Sequence, residues 1–451
     1  MKRIYKLKKG LDFALEGKAE PVLTEAPASA VYGVRPPDFP GIVPRLAVKA
    51  GDKVKAGDTL FVDKRTERVA VVSPVSGAVK DIVRGERRKI LAIEIEADAE
   101  QEYRTFDVAG IAGAASEEVV RLLRESGLFA LFRQRPYDVV PAPENKPKAV
   151  FISAFSKMPL AADFTFVAEG REDDFKAGVR LLARVAPVHV GISPRQVNTA
   201  LLPIPEASVS IFDGPNPSGN VGVQISHVAP VNKGETVWTV APEVVCFIGE
   251  FARTGRVRLR RRVAVAGSRV ASPRYVSATM GARVADIIGD NLKPADTHTR
   301  IIDGNPLVGS PTQPEAYISA QATELCAIPE GDDRHELFGW IMPRLGDFSA
   351  SRSYFSWLLG KKRRYDLDCR VKGGERHMIM SGEYDRVLPM DIYGEYLIKA
   401  IITGDIDRQE ALGIYEVAPE DFAVAEFVCS SKLELQRIVR EGLDVLMKEN
   451  A

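Results

Sequence analysis

Two Ala-Gly-Asp turns six residues apart, Ala50-Gly51-Asp52 and Ala56-Gly57-Asp58, set the tightest limit on what this chain can fold into. Each Gly can take a positive φ, and each Asp can hydrogen-bond its own backbone, so each triplet reverses the chain. Between them only Lys53-Val54-Lys55 remains, alternating as a half-buried strand does. Leu60-Phe61-Val62 and Val69-Ala70-Val71-Val72 are the next strands, and Pro74 and Gly77 punctuate before Val79. From Pro44 to Ile95 there is room for short strands and tight turns, not for helices.

This pattern resembles a barrel-sandwich hybrid, the fold of biotinyl and lipoyl carrier domains. In carriers, a lysine in an exposed hairpin after an acidic residue is modified, and Asp63-Lys64 falls near that position. The flanking Arg65-Thr66-Glu67-Arg68 is no carrier motif, so Lys64 reads as an ordinary turn lysine on a borrowed fold. This segment is assigned residues 1–102.

From Ser116 the period changes. Ser116 is placed to cap a helix, Glu117 and Glu118 suit its positive end, and Val119, Val120, Leu122 and Leu123 supply an apolar face. Gly127 can end it. The run Ala149–Ala154 reads as a buried strand, 175–185 as a helix and 188–191 as the next strand. Strand, helix and strand at this spacing imply a parallel sheet, a Rossmann-like α/β domain over residues 103–255. Glu125-Ser126-Gly127-Leu128 resembles the start of the flavin- and NADH-binding loop in the 51 kDa-type subunit of respiratory complex I. There the loop continues with glycines, which let backbone approach the phosphates. Here it continues Phe129-Ala130-Leu131-Phe132-Arg133-Gln134-Arg135-Pro136, with no glycine. Bulky side chains block that approach, so this chain is expected to bind no cofactor.

The cadence from Val263 through Gly267, Val270, Pro273, Tyr275 and Gly281 to Asp286-Ile287-Ile288 resembles the soluble-ligand-binding β-grasp of the same complex I protein, over residues 256–330. Residues 331–451 read as a mostly helical C-terminal domain, with helices expected at 391–403, 408–413, 419–428 and 431–448. In complex I relatives this region carries a four-cysteine 4Fe–4S site. Here the run begins at Cys429, but Lys432 and Leu435 stand at the next two ligand positions. One thiolate cannot hold such a cluster, and Cys429 reads as a lone cysteine at a helix start. The fold class is therefore α+β multidomain: barrel-sandwich hybrid, Rossmann-like domain, β-grasp and helical domain.

Longer words cover the chain from Lys8 to Glu449, among them Lys8-Lys9-Gly10-Leu11-Asp12, Pro159-Leu160-Ala161-Ala162-Asp163, Asp213-Gly214-Pro215-Asn216-Pro217, Glu336-Leu337-Phe338-Gly339-Trp340 and Gly382–Asp391. Their order and spread resemble the NqrA family, one of the subunit families of Na+-translocating NADH:quinone reductases. The resemblance implies a peripheral protein on the cytoplasmic face of a bacterial inner membrane. It belongs to a six-subunit complex that oxidises NADH, reduces quinone and exports Na+. Partners are then the other subunits, above all the membrane subunit that handles quinone, while flavins and iron–sulfur centres lie elsewhere. Ser218-Gly219-Asn220 and the basic run Lys361 to Arg364 depart from the commoner family pattern. A stand-alone NADH- or flavin-dependent oxidoreductase is the alternative, and the missing glycine loop argues against it.

Two groups of side chains stand out as contact candidates. An apolar ring bearing polar carbonyls suits aromatic and arginine neighbours, so Phe129, Phe132, Arg133 and Arg135 are the candidates to meet any quinone; the simpler reading makes the two phenylalanines core and the two arginines surface ion-pair partners. Tyr354, Phe355 and Trp357, followed by Lys361, Lys362, Arg363 and Arg364, suit a membrane headgroup layer or a partner. They suit better still a helix with a buried aromatic face and cations at its C-terminal dipole, since Trp and Leu are dense enough here to be buried. No catalytic or metal-ligating set emerges, since His189, His227, His298, His335 and His377 lack metal-ligand spacing. The four cysteines, Cys246, Cys326, Cys369 and Cys429, form no C-x-x-C pair. Lys plus Arg equals Asp plus Glu at 61 each, so no global field draws nucleic acid. The first residues have no apolar core of a signal peptide, and no run nears the ~20 apolar residues of a spanning helix.

Overall fold

The computed structural model describes residues 3–333, 342–360 and 363–450. The paired turns do what their composition requires. Gly51 and Gly57 sit at φ +90° and +95°, and the Asp52 and Asp58 carboxylates accept from the backbone N–H of Lys49 (2.9 Å) and Lys55 (2.8 Å). These reversals stack two small sheets. One orders Val31–Val34, Ile90–Ala97, Gly77–Arg84 and Lys53–Val54; the other orders Pro44–Leu46, Thr59–Asp63 and Ala70–Val72. Leu60, Phe61, Ile93 and Ile95 are fully buried between them. Lys64 is exposed in the turn after Asp63, whose own carboxylate is turned inward to the Val43 N–H.

The α/β sheet runs Arg3–Lys6, Ala207–Asp213, Val188–Ile192, Val150–Ser153, Val237–Thr239, Arg133–Arg135. The first five strands are parallel and the last is antiparallel. Leaving out the two outermost strands, the chain order across the sheet is third, second, first, fourth. The order therefore reverses between Val150–Ser153 and Val237–Thr239, and open α/β sheets bind ligands at the strand ends beside such a reversal. Helices Glu172–Leu182 and Pro242–Thr254 pack backbone to backbone. A Cβ on Gly178 would lie 2.1 Å from the Val245 carbonyl oxygen, and one on Gly249 would lie 1.8 Å from that of Asp174.

The third sheet holds the β-grasp: Ser310–Thr312, Thr299–Asp303, Glu324–Pro329, Arg260–Ala266, Arg274–Thr279, then Glu20–Glu25. Gly267 makes the tight connection at φ +115°, where a Cβ would meet the Ala327 carbonyl oxygen at 2.1 Å. Residues 3–25, which the sequence groups with the sandwich, instead reach three other places. Arg3–Lys6 edges the α/β sheet, Ala14–Leu15 pairs with Arg364–Tyr365, and Glu20–Glu25 edges the β-grasp. These short, mostly exposed runs carry no address for a partner hundreds of residues away.

Helices Gly394–Ile402, Ile406–Ala411, Ala423–Val428 and Leu435–Glu449 build the C-terminal part around Leu397, Phe422, Val439 and Leu443. Val223, on the α/β helix Val221–Val228, is buried in the same cluster. Cys429 is not at a helix start. It follows the last residue of Ala423–Val428 and is buried, its sulfur 3.0 Å from the Tyr384 hydroxyl.

Candidate functional site

A crevice of about 460 Å³ opens at the switch point of the α/β sheet. Ser153, the last residue of the first strand, lines it, as do Thr239 and the following Val240-Ala241-Pro242, where helix Pro242–Thr254 begins. The β-grasp closes the opposite wall with Asp303 and Glu324, and the C-terminal part contributes Glu420. Three of the four structural units thus meet at one polar cleft.

Of the four residues expected near quinone, Arg133 and Arg135 line this crevice; Phe129 and Phe132 do not. Both phenylalanines are fully buried, with ring centroids 5.1 and 6.0 Å from Trp238, edge to face. Gly127 is committed to packing as well: at φ +78°, its Cβ would lie 2.7 Å from a Val72 methyl group of the sandwich. Strand Arg133–Arg135 then alternates, and its two arginines turn toward the cleft. The Arg133 guanidinium donates to the carbonyls of Phe132 (2.9 Å) and Asp38 (2.8 Å). Burial pulls it down to about 10, so it is a cation at neutral pH.

Arg135 is 1 % exposed and spans two units, pairing with Asp138 of its own strand-end turn and with Glu420 at 3.1 Å. Its Nε has no partner among the described residues. Burial alone would raise Asp138, but Arg135, Arg133 and Arg440 together hold it below the usual carboxylate range. Burial pushes Asp421, next to Glu420 in the chain, upward. On the β-grasp wall, Asp303 accepts the Ser319 N–H (2.8 Å) and hydroxyl (3.0 Å), and Glu324 accepts from the Ala162 N–H (2.9 Å) and Thr323 hydroxyl (2.7 Å). Burial raises both carboxyls. Ser153 is tied down by giving its proton to the Gly219 carbonyl (2.7 Å) and accepting from Gln224 (2.7 Å).

These polar groups hold one another. Among the described residues lining the cleft there is no histidine to serve the serine as a base, and no glycine-rich turn to wrap a phosphate. The arrangement suits a polar ligand head or a domain junction. Sequence reasoning did not find Ser153, Asn220, Asp303, Glu324 or Glu420, which come together only through topology. The strand-order rule was the available signal, and it locates Ser153 once the sheet order is known. Asn220, in the word that departs from the family pattern, donates to the Glu420 carbonyl at 3.1 Å.

The second set lies elsewhere. Tyr354 is half-buried under the Arg344 guanidinium, while Phe355, Trp357 and Arg364 are exposed. Arg363 lies over the Tyr365 ring at 5.6 Å. Lys361 and Lys362 fall outside the described residues. Among the described residues, no helix is long and apolar enough to cross a membrane.

Family models match three stretches: an NqrA N-terminal barrel-sandwich hybrid domain over residues 5–98, an NqrA second alpha/beta domain over 114–257, and an NQRA C-terminal domain over 262–313. Among full-length relatives, the A subunit of the Na(+)-translocating NADH-quinone reductase of Neisseria meningitidis serogroup B is 35 % identical, over 98 % of this chain and 99 % of its own. Its counterparts in Rhodopirellula baltica and Photorhabdus laumondii are each 34 % identical, covering 99 % and 98 % of this chain and 98 % and 99 % of theirs. One chain of an NAD+-reducing NiFe hydrogenase overlays at a TM-score of 0.35 and 14 % identity, covering 51 % of this chain and 52 % of that one. That likeness is too loose to establish a shared fold. Sequence identity maintained end to end, with the sandwich and α/β units where the family models put them, settles the family: this chain belongs to the NqrA subunits of the Na(+)-translocating NADH-quinone reductases.

Proposed function

We propose that this chain is the peripheral NqrA component of a Na+-translocating NADH:quinone reductase, docked on the cytoplasmic face of the membrane subunits. The complex passes electrons from NADH to quinone and exports Na+; this component shapes the quinone end and carries no redox centre. The observation that supports the reading most is 35 % identity across 98 % of the chain to a named subunit of such a reductase. Packing supports the absence of a redox centre: Phe129 and Phe132, set against Trp238, occupy the place where flavin or dinucleotide phosphates would need bare backbone.

Quinone contact is expected at Arg133 and Arg135 rather than at the phenylalanines. The two cations line the open cleft, where a guanidinium can donate to a quinone carbonyl, whereas the rings have no free face. The stand-alone oxidoreductase has no observation in its favour.

The test is removal of this protein from the complex. Membranes lacking it are expected to lose NADH-driven quinone reduction and keep NADH oxidation by a soluble artificial acceptor. Purified chain carrying stoichiometric flavin absorbance would overturn the reading.

A further inference from the structure

Residues Phe355–Leu359 form a short 3-10 turn whose large side chains are exposed. Ser356 is its single inward residue, at 0 % exposure. Around it, Phe355 is 57 % exposed, Trp357 47 %, Leu358 64 % and Leu359 48 %. The turn is fastened to the preceding segment by the Phe355 N–H, which donates to the Pro343 carbonyl at 3.2 Å. Met342 and Leu345 flank that bond and are exposed too. A five-residue turn has neither the buried aromatic face nor the long dipole of the helix that the sequence also allowed. Six large apolar side chains left in water beside one another call for a cover.

Charge says what kind of cover fits. Between Asp347 and Asp366 there is no acidic residue, and there are five cations: Arg352, Lys361, Lys362, Arg363 and Arg364. Arg352 lies over the Trp357 ring at 5.4 Å, so cation and indole share one surface. Protein interfaces deplete lysine at their core and answer cations with carboxylates of their own. An anionic leaflet accepts the whole set at once: Trp and Phe at headgroup depth, Leu below them and cations among the phosphates.

We propose that the turn Phe355–Leu359 inserts into the headgroup layer of an anionic bilayer, with Arg352, Arg363 and Arg364 on lipid phosphates. This direct lipid contact does not follow from membership of a membrane complex, since a peripheral protein can dock on protein alone. Each cation near an anionic leaflet raises partitioning about fivefold, so the arginines beside the turn contribute much of the affinity.

The test uses the full chain with extruded vesicles, of phosphatidylcholine alone or mixed with phosphatidylglycerol, read by co-sedimentation and tryptophan emission. Expected results are binding to the mixed vesicles only, weakened by added salt, with a blue shift that Trp357→Phe abolishes. The double variant R363Q/R364Q should bind roughly 25-fold more weakly. Binding should also weaken in L358A/L359A, whose exposed side chains are not needed for folding. No binding at low salt, or equal binding to both vesicle types, overturns the proposal. Weakening by the glutamines but not by L358A/L359A also overturns it, because the turn would then adsorb without inserting. Quinone reduction by the complex assembled with each variant reads assembly separately. Lost activity without vesicle binding gives the patch to a protein neighbour and sinks the lipid contact, while the place of this chain in the reductase stands.

Discussion

At the scale of single residues, the arginine-rich strand separates two kinds of side chain that the sequence groups together. Phe129, Phe132, Arg133 and Arg135 fall within seven positions, yet the phenylalanines are core and the arginines line a cleft. The 3-10 turn Leu128–Leu131 changes the period between them, and periodicity cannot be read across a change of period. Phe132→Ala is expected to cost about 3–5 kcal/mol of stability, as a buried ring against Trp238, and to leave quinone affinity of the folded protein unchanged. Chemical denaturation and a binding titration on the same sample check both halves. The Gly-Asp turns, by contrast, were legible outright, because a positive φ and a self-bonding carboxylate are local physics.

Among elements, the helix pair Glu172–Leu182 and Pro242–Thr254 fixes the cleft from behind. Ala241 and Pro242, at the start of the second helix, line the cleft, and Gly249 lies about two turns further along. Its missing side chain admits the Asp174 carbonyl of the first helix. Gly249→Val is expected to push the helices apart, lowering stability by about 3 kcal/mol or more and displacing the cleft wall. A lower melting temperature should therefore accompany altered ligand affinity, and a variant as stable as the parent would refute the argument. Existence and type of these helices were legible from apolar spacing. Their close approach was not, since a glycine in a helix reads only as a weak position until the facing backbone is known. The same holds for the C-terminal helices: the one expected at 431 begins at Leu435, and Cys429 falls in the connection before it.

Over the whole molecule, units are joined through buried charge. Asp38 of the sandwich and Asp303 of the β-grasp share the Arg35 guanidinium, at 3.5 and 3.7 Å, with each carboxylate side chain under one-tenth exposed. Burial outweighs Arg35 and the Ala320 N–H and pushes Asp38 from 3.8 up to about 6. The folded protein thus holds a proton that the unfolded chain has released between about pH 4 and 6. This contribution is complete below about pH 4 and is lost as pH rises through about 6, a difference of up to about 3 kcal/mol. Asp38→Asn should accordingly flatten the fall in melting temperature between about pH 4.5 and 7; an unchanged slope would exclude Asp38 as its source. The link from Arg35 and Asp38 to Asp303 could not be read from sequence, because Asp303 lies more than 250 residues away and each aspartate looks like an ordinary surface acid. The dispersal of residues 3–25 over three sites has a consequence in time. Their pairing partners, at 207–213, 274–279 and 364–365, close loops of roughly 200, 250 and 350 residues. Synthesis proceeds from the N-terminus, so residues 3–25 are made well before their strand partners, the last of which follows roughly 350 residues later. Until about residue 213 is made all three strands travel unpaired, and Ala14–Leu15 stays so until residue 365, open to a chaperone or to the wrong sheet edge.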